Sequence, residues 1–373
     1  MKTFFHLVQE VQKPGLCHHC GGCVTFCTAI NYGALELDEN GRPRYKDLEK
    51  CIECGLCYSI CPEIHELEEE TKRMVSWSAP MGRILSTAVT RATEPEVLAR
   101  GTDGGVVTAL LLHLLDIGRI DGAIVSRRTG AFTRRPWLAI TRDEILEAAG
   151  FHFDTMHGMT HFSKVYSSME FCTFSPSIME LGEVAKKRLN RVAFVGTPCQ
   201  INALKRMEVL GIVPSSAISL HLGLFCTGNF HFGQEQRQRL MELGDFSWED
   251  VRKVNVKSEL LIHLNSGEVR QIPLNKLEFM KRYACQYCDD YAAEFADLSF
   301  GGIGAPEGWT TVIVRSPLGR AVMADAQGVD LEHATPTAAN QALNTVMEWS
   351  NIKKDLAAQR HRELERRAVQ VKG

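Results

Sequence analysis

Eight cysteines between residues 17 and 61 restrict what this chain can fold into more than any other feature. They stand in two runs, CHHCGGCVTFC and CIECGLCYSIC, each spaced Cys-x2-Cys-x2-Cys-x3-Cys. The first run is Cys17, Cys20, Cys23 and Cys27. The second is Cys51, Cys54, Cys57 and Cys61, at a constant offset of 34 residues. Two-residue steps let three thiolates converge on one cubane 4Fe–4S cluster, and the fourth thiolate of such a run reaches the neighbouring cluster. The spacing therefore assigns Cys17, Cys20, Cys23 and Cys61 to one cluster, and Cys51, Cys54, Cys57 and Cys27 to a second. Cys-x2-Cys pairs also suit tetrahedral zinc, but zinc has no use for two matched runs of four. Pro62 follows Cys61 as the pattern expects; Thr28 stands where a second Pro would be usual.

The runs predict a bacterial-type ferredoxin domain carrying two 4Fe–4S clusters at residues 1–66. Between them, ALELDENGRPRYKD reads as two strands joined at an Asn40-Gly41 turn. Thirteen cysteines in 373 residues would suit a secreted disulfide framework, but iron ligation requires free thiolates. The start, MKTFFHLVQEVQK, lacks the cleavage pattern of a signal peptide. The longest apolar run, 106–115, is broken by His113 and is too short to span a bilayer. A net charge of −3 advertises neither nucleic acid nor an anionic membrane. The expectation is a cytoplasmic protein of a reducing, anaerobic setting, peripheral to a membrane only through partners.

Residues 67–82 read as a charged linker or solvated helix. From about residue 83 to 335, short apolar strands alternate with helical patterns, the signature of an α/β domain. DGAIVS, RPWLAI, RVAFVG and AISLHLGLFC read as strands. VVTALLLHLLDIG and INALKRMEVLG read as helices, and TRDEILEAAG as a helix capped by Thr141. The last strand pair and its helix form a βαβ unit. Residues 150–175 hold His152, His157 and His161 with little periodicity, a loop of a length that is usually functional. Residues 336–373 form a highly charged helical tail, either solvated or a docking arm.

Five cysteines lie outside the ferredoxin runs. Cys199 and Cys226 follow the two strands of the βαβ unit, at the sheet edge where α/β folds bind ligands. Cys285-x2-Cys288 adds two sulfurs on a tight turn. Together these four suit a third cluster; buried free thiols, a zinc knuckle and a redox-active pair are the alternatives. Cys172 has no partner at ligand spacing and reads as a packed thiol. GTDGG at 101–105 opens a helix, a phosphate site by mechanism or an ordinary helix start. GGIGAPEGW at 301–309 is equally open between ligand contact and tight turn.

Four separated segments, GTDGGVVTALL, VGTPCQINALKRM, LGLFCTGNF and ACQYCDDYAAEFADLSFGGIGAPEGWTTVIVR, resemble the family of coenzyme F420 hydrogenase/dehydrogenase β subunits, in the same order from about residue 83 to 316. With its ferredoxin module, the chain most resembles the input subunits of F420H2 dehydrogenases. Chlorophyll-pathway reductases share that superfamily. The resemblance implies a domain that holds FAD beside a 4Fe–4S cluster, with the family's four cysteines falling on Cys199, Cys226, Cys285 and Cys288. Asp103, Gly104, Gly105 and Thr108 fall on a segment that lines the flavin, and Thr197 and Gln200 flank the cluster near its isoalloxazine. Lys164 and Tyr166 match a further cofactor-binding stretch. No catalytic residue is assigned.

The implied activity is hydride exchange between reduced coenzyme F420, or a similar two-electron carrier, and FAD. Three 4Fe–4S clusters then relay single electrons to or from a partner. Implied partners are hydrogenase, formate dehydrogenase, heterodisulfide-reductase-like or membrane dehydrogenase subunits. The alternatives are a ferredoxin-fed reductase of an organic substrate and an adaptor subunit that uses NAD(P)H or no small substrate. The chain departs from the family pattern at Val256-Lys257-Ser258-Glu259-Leu260 and at Cys226-Thr227-Gly228-Asn229-Phe230, where a carboxylate is lost. It also departs at His161 to Ser167. These are places where the two-electron substrate is expected.

Overall fold

The computed structural model describes residues 1–29, 32–129, 134–150, 153–154 and 175–370. Lys164, Tyr166, Cys172 and the histidines 152, 157 and 161 lie outside them. The ferredoxin module contains the expected hairpin, β1 (Leu35–Leu37) and β2 (Pro43–Tyr45), paired antiparallel. Its turn is held by the Asp38 carboxylate, which accepts from the backbone N–H of Asn40 and of Arg42, each at 2.8 Å. The short helix Gly22–Ala29 carries Cys23 and Cys27, and Leu56–Ser59 carries Cys57.

The strands that follow are β3 (Ser86–Ala92), β4 (Gly122–Arg128), β5 (Arg134–Ala139), β6 (Phe153–Asp154), β7 (Val192–Gly196) and β8 (Ile218–Leu224). Next come β9 (Val251–Val256), β10 (Glu259–Leu264), β11 (Val269–Pro273), β12 (Leu298–Gly301), β13 (Thr310–Val314) and β14 (Leu331–His333). Eight of them form one mixed sheet in the order β14-β3-β13-β12-β8-β7-β4-β5. Its centre, β12, β8, β7 and β4, is parallel. Accordingly, β7 (VAFVG) is an almost continuous apolar run, as a strand covered on both faces must be. The meander of β9, β10 and β11, joined by β6, forms a second sheet in the order β11-β10-β9-β6.

Alternate residues of the large sheet face different cores. Ala123, Val125 and Ala193 pack with Leu110, Leu111 and Leu114 of the helix Val106–Asp116. Ile124 and Phe194 face the other way, into a core shared with Phe4, Leu7, Phe26 and Ile60 of the ferredoxin module. The helix Pro198–Val209 lies in that second layer through Ile201, Ala203, Leu204 and Met207. The protein is therefore an N-terminal ferredoxin domain followed by an α/β domain, with one continuous core between them. A module this small buries little apolar surface by itself and gains stability from the shared core.

Residues 67–82 contain the expected solvated helix, Glu68–Met74, with Glu69, Glu70, Arg73 and Met74 exposed and Thr71 buried. The segment is also anchored: the Trp77 indole N–H donates to Glu294 at 2.7 Å, and Met81 is fully buried. One sequence reading is corrected. The tail is a single helix, Pro336–Gln370, and it is not a solvated arm. Ala342, Val346, Ser350, Lys353 and Ala357 are buried along it. Its apolar positions are sparse because much of the buried stripe is Ala, Ser and the Lys353 stem.

Candidate redox site

The C-terminal ends of β4, β7, β8 and β12 meet at one edge of the sheet and open a cavity of about 280 Å3. Ser126, Gly196, Leu224 and Gly301 line it from those four strands. Across it, Val254, Asn255 and Val256 of β9 form the opposite wall. That is where an α/β sheet presents its ligand site.

The GTDGG segment borders this cavity. Gly105 adopts the left-handed region at φ 68° and caps the helix Val106–Asp116 with no side-chain cap bond. The first N–H groups of that helix are thus left for a ligand, and Val106, Val107 and Thr108 line the cavity. Asp103 also lines it and pairs with Lys257 at 3.0 Å. A Cβ on Gly302 would overlap the Asp103 carboxylate, so both Gly-rich segments need their bare backbone. Gly104 plays a different part from the one expected of it. It is not among the lining residues, and its N–H donates to Thr310 Oγ1 at 3.0 Å. A Cβ there would lie 2.8 Å from the Thr90 carbonyl oxygen. Gly104 seats the loop on the sheet.

Thr197 and Gln200 line the cavity at the start of the helix Pro198–Val209. They form a reciprocal cap, with Thr197 N–H donating to Gln200 Oε1 at 3.0 Å. Gln200 Nε2 donates to the Ser175 carbonyl at 2.6 Å, which locks the amide. Thr197 Oγ1 lies 3.3 Å from Cys199 Sγ, so the cavity wall touches the first cysteine directly.

The βαβ unit places Cys199 and Cys226 at the same sheet edge because β7 and β8 are parallel neighbours. Burial pushes the Cys199 thiol well up, and its charged neighbours include Cys20, Cys288 and Cys226. Burial also raises Cys226, and pushes Cys288 to about 12. Cys285 differs. Burial would raise it, but a hydrogen bond and charge from His18, then Arg282 and the Asn229 N–H, bring it down to about 7. His18 is itself in close contact with Glu63.

In the ferredoxin module, the electrostatic neighbours of Cys61 are Cys20 and Cys17. Those of Cys57 are Cys54, Cys51 and Cys27. Cys61 thus stands with the thiols of the first run, and Cys27 with those of the second. A second, small cavity of about 20 Å3 is lined by Cys27, Cys51, Cys54 and Cys57. Backbone N–H groups of Ala34 and Asn229 each donate to a sulfur, Cys27 Sγ and Cys285 Sγ, at 3.3 Å. Among the described residues, no three His, Cys, Asp or Glu converge closely enough for a single metal ion. Thiolates of a cubane cluster each bind their own iron and stand apart.

Three residues that sequence reading did not single out hold this arrangement together. Arg206, fully buried, donates to the Cys61 carbonyl at 2.5 Å, to Pro62 at 3.4 Å and to Ile64. It lies seven residues after Cys199 on the same helix face, so helical periodicity pointed to it. Arg282 donates to the His18 and Cys17 carbonyls at 2.9 and 3.2 Å. Lys353, from the C-terminal helix, donates to the Cys226 and Asp290 carbonyls, both at 2.8 Å. Nothing local in the sequence marked it. Among the described residues, no helix is long and apolar enough to cross a membrane.

Comparison with known proteins supplies the frame. Residues 87–162 and 189–338 match the N-terminal and C-terminal models of the coenzyme F420 hydrogenase/dehydrogenase β subunit. Residues 9–62 match a 4Fe–4S dicluster domain. The β subunit of the coenzyme F420 hydrogenase of Methanosarcina barkeri is 30% identical over 254 residues, covering 66% of this chain and 80% of the relative. A component of the F420H2 dehydrogenase of Methanosarcina mazei is 25% identical, covering 84% of this chain and 82% of the relative. The coenzyme F420-dependent sulfite reductase of Methanocaldococcus jannaschii is 28% identical over 87% of this chain, which spans 48% of that protein. A chain of the F420-reducing NiFe hydrogenase complex from Methanosarcina barkeri superposes with a TM-score of 0.64 at 26% identity, covering 77% of this chain and 94% of that one. The fold is thus shared with a chain of an F420-reducing hydrogenase complex, and this chain belongs to the family of coenzyme F420 hydrogenase/dehydrogenase β subunits.

Proposed function

We propose that this chain is a flavo-iron–sulfur electron-transfer subunit. FAD occupies the large cavity, and three 4Fe–4S clusters lie on Cys199/Cys226/Cys285/Cys288, Cys17/Cys20/Cys23/Cys61 and Cys27/Cys51/Cys54/Cys57. Its reaction is hydride exchange with reduced coenzyme F420 or a similar carrier. Bound FAD supplies the step the residues cannot, taking up two electrons together and releasing them singly. The observation that carries this reading is continuity. Thr197 lines the cavity and touches Cys199, and Cys20 heads the charged neighbours of Cys199.

The chain's own residues bind and orient. The open start of the helix Val106–Asp116 suits a phosphate. Asp103 and Lys257 join the helix side of the cavity to the second sheet. Thr197 and Gln200 fix the wall between cavity and sulfurs. Arg206 and Arg282 hold the first ferredoxin set against the Cys199 set. Partner subunits accept or supply the electrons at the ferredoxin module, as the hydrogenase and dehydrogenase relatives suggest.

One observation favours a second reading, a ferredoxin-fed reductase of another substrate. The departures from the family pattern at Thr227, Gly228, Asn229, Val256 and Lys257 all line the cavity. Anaerobic titration separates the two. Bleaching of the bound flavin by reduced F420 in stopped flow supports the first. A flavin that neither reduced F420 nor NAD(P)H bleaches, but reduced ferredoxin does, supports the second. Purified protein with no flavin overturns both.

A further inference from the structure

We propose that Lys353 is a positioning residue that clamps two cysteine loops of the cavity-side set and raises the reduction potential of the cluster they hold. This rests on the reading of Cys199, Cys226, Cys285 and Cys288 as a cluster site.

The ammonium is placed where no solvent-facing lysine would be. Lys353 is 9% exposed, and its Nζ bridges two carbonyls from separate loops. One belongs to Cys226, just beyond β8. The other belongs to Asp290, which also accepts from the Cys288 thiol at 3.6 Å. The loops are 127 and 63 residues away from Lys353 in sequence. They meet through the Cys226 N–H, which donates to the Tyr291 carbonyl at 2.8 Å, and the packed C-terminal helix adds a charged bridge across them.

That helix is anchored on both sides of Lys353. Ser350 Oγ meets Met81 Sδ at 3.0 Å, and Arg360 pairs with Glu278 at 2.7 Å. His361 Nε2 lies 3.1 Å from the Tyr287 carbonyl oxygen. The charge therefore cannot swing away. Among the described residues, no carboxylate oxygen pairs with Lys353 within 4 Å. The groups whose negative charge acts most on it are Cys288 and Cys226, followed by Asp290 and Cys285. A buried ammonium without an ion-pair partner is costly, and an anionic thiolate-ligated cluster is the compensating charge that this position offers.

The consequence follows from charge alone. Reduction adds one negative charge to the cluster, and a fixed cation in a low-dielectric site stabilises the reduced form more than the oxidised form. Lys353 exchanges no proton and no electron. It biases the one-electron equilibrium between the cavity side and the ferredoxin set, making the cavity-side site the better acceptor.

The test is a redox titration of the holoprotein followed by EPR, with iron and flavin content measured in parallel. Lys353→Gln keeps an N–H donor and removes the charge; Lys353→Arg keeps the charge. The expected result is full iron content in Lys353→Gln and a tenfold shift of one cluster's equilibrium toward oxidised, about 59 mV for one electron. The other two clusters should not move, and Lys353→Arg should stay near wild type. An unshifted potential in Lys353→Gln overturns the proposal. Where Lys353→Gln loses iron, Lys353→Arg decides: retained iron and potential support a role for charge, and loss in both variants overturns it. Failure of the underlying reading looks different, because the wild-type protein would then hold iron for two clusters only.

Discussion

The cysteine set of the small cavity and the set beside the large one are built in opposite ways. Cys51, Cys54 and Cys57 come from seven consecutive residues, and only Cys27 is brought from elsewhere. Their surroundings reach the surface, with Ile52 and Leu48 59% and 66% exposed. Cys199, Cys226, Cys285 and Cys288 come from three separate stretches. They are brought together by the pairing of β7 with β8 and by hydrogen bonds between the loops, such as Cys226 N–H to the Tyr291 carbonyl and Asn229 N–H to Cys285 Sγ. One set is a local property of the chain; the other reports the integrity of the whole α/β domain. On the function proposed above, the first set is the electron port and has to be reachable, and the second stands beside the cofactor and has to exclude water.

Several substitutions test that contrast. The largest effect is expected from Cys199→Ser. It should remove the iron of one cluster, about four atoms, and stop electrons from the flavin reaching the ferredoxin module. Flavin reduction by the hydride donor should survive. If ferredoxin reduction persists, the cavity-side set is not in the path. Next is Arg206→Met, which strips a buried donor from three carbonyls and from Asn202 Oδ1. A loss of about 3 kcal/mol is expected in denaturant unfolding, with iron leaving the ferredoxin module first. Simultaneous loss from all sites would erase the distinction drawn above.

A pH series sharpens it further. Burial pushes Cys20, Cys57 and Cys288 up to about 12. A thiol must shed its proton to bind iron, so cluster loading of apoprotein should improve as pH rises. Cys285, at about 7, is the exception. His18→Phe removes its hydrogen-bond donor and leaves burial to dominate. Loading of the cavity-side set should then require a higher pH, read as iron bound against pH, while the Cys27/Cys51/Cys54/Cys57 set keeps its profile. The smallest effect belongs to Asp47→Ala. Asp47 caps the short turn Leu48–Lys50 beside Cys51, accepting from the Glu49 N–H at 3.2 Å. It should cost about 0.5 kcal/mol, the low end for a cap, with no iron lost. Iron loss there would show that the local set depends on more than its own turn.

What could be read from the sequence has the same division. The ferredoxin runs, the Asn40-Gly41 hairpin, the Thr141 cap and the βαβ unit around Cys199 are written in neighbours a few residues apart. Local sterics and hydrogen bonds decide them, and the structure has each one. The family segments located the cavity through Asp103, Gly105, Thr108, Thr197 and Gln200. Gly104 was placed on the right loop, but its role as a seat against Thr90 and Thr310 needed the sheet. The last helix looked solvated because its buried face is built largely from small and amphipathic side chains. Lys353, Arg282 and the Trp77–Glu294 hydrogen bond depend on partners more than sixty residues away, beyond any periodicity.

The helix Pro198–Val209 carries Cys199 at its start and Arg206, which grips the Cys61 turn, two turns later. Seven residues of α-helix make a length of about 10 Å, and a helix packed on two sides does not stretch. The gap between the cavity-side sulfurs and the first ferredoxin sulfurs is thereby cut to measure by backbone geometry, independently of the loops on either side. Loops around the cavity are free to diverge while the spacing of the two sulfur sets behind them stays the same.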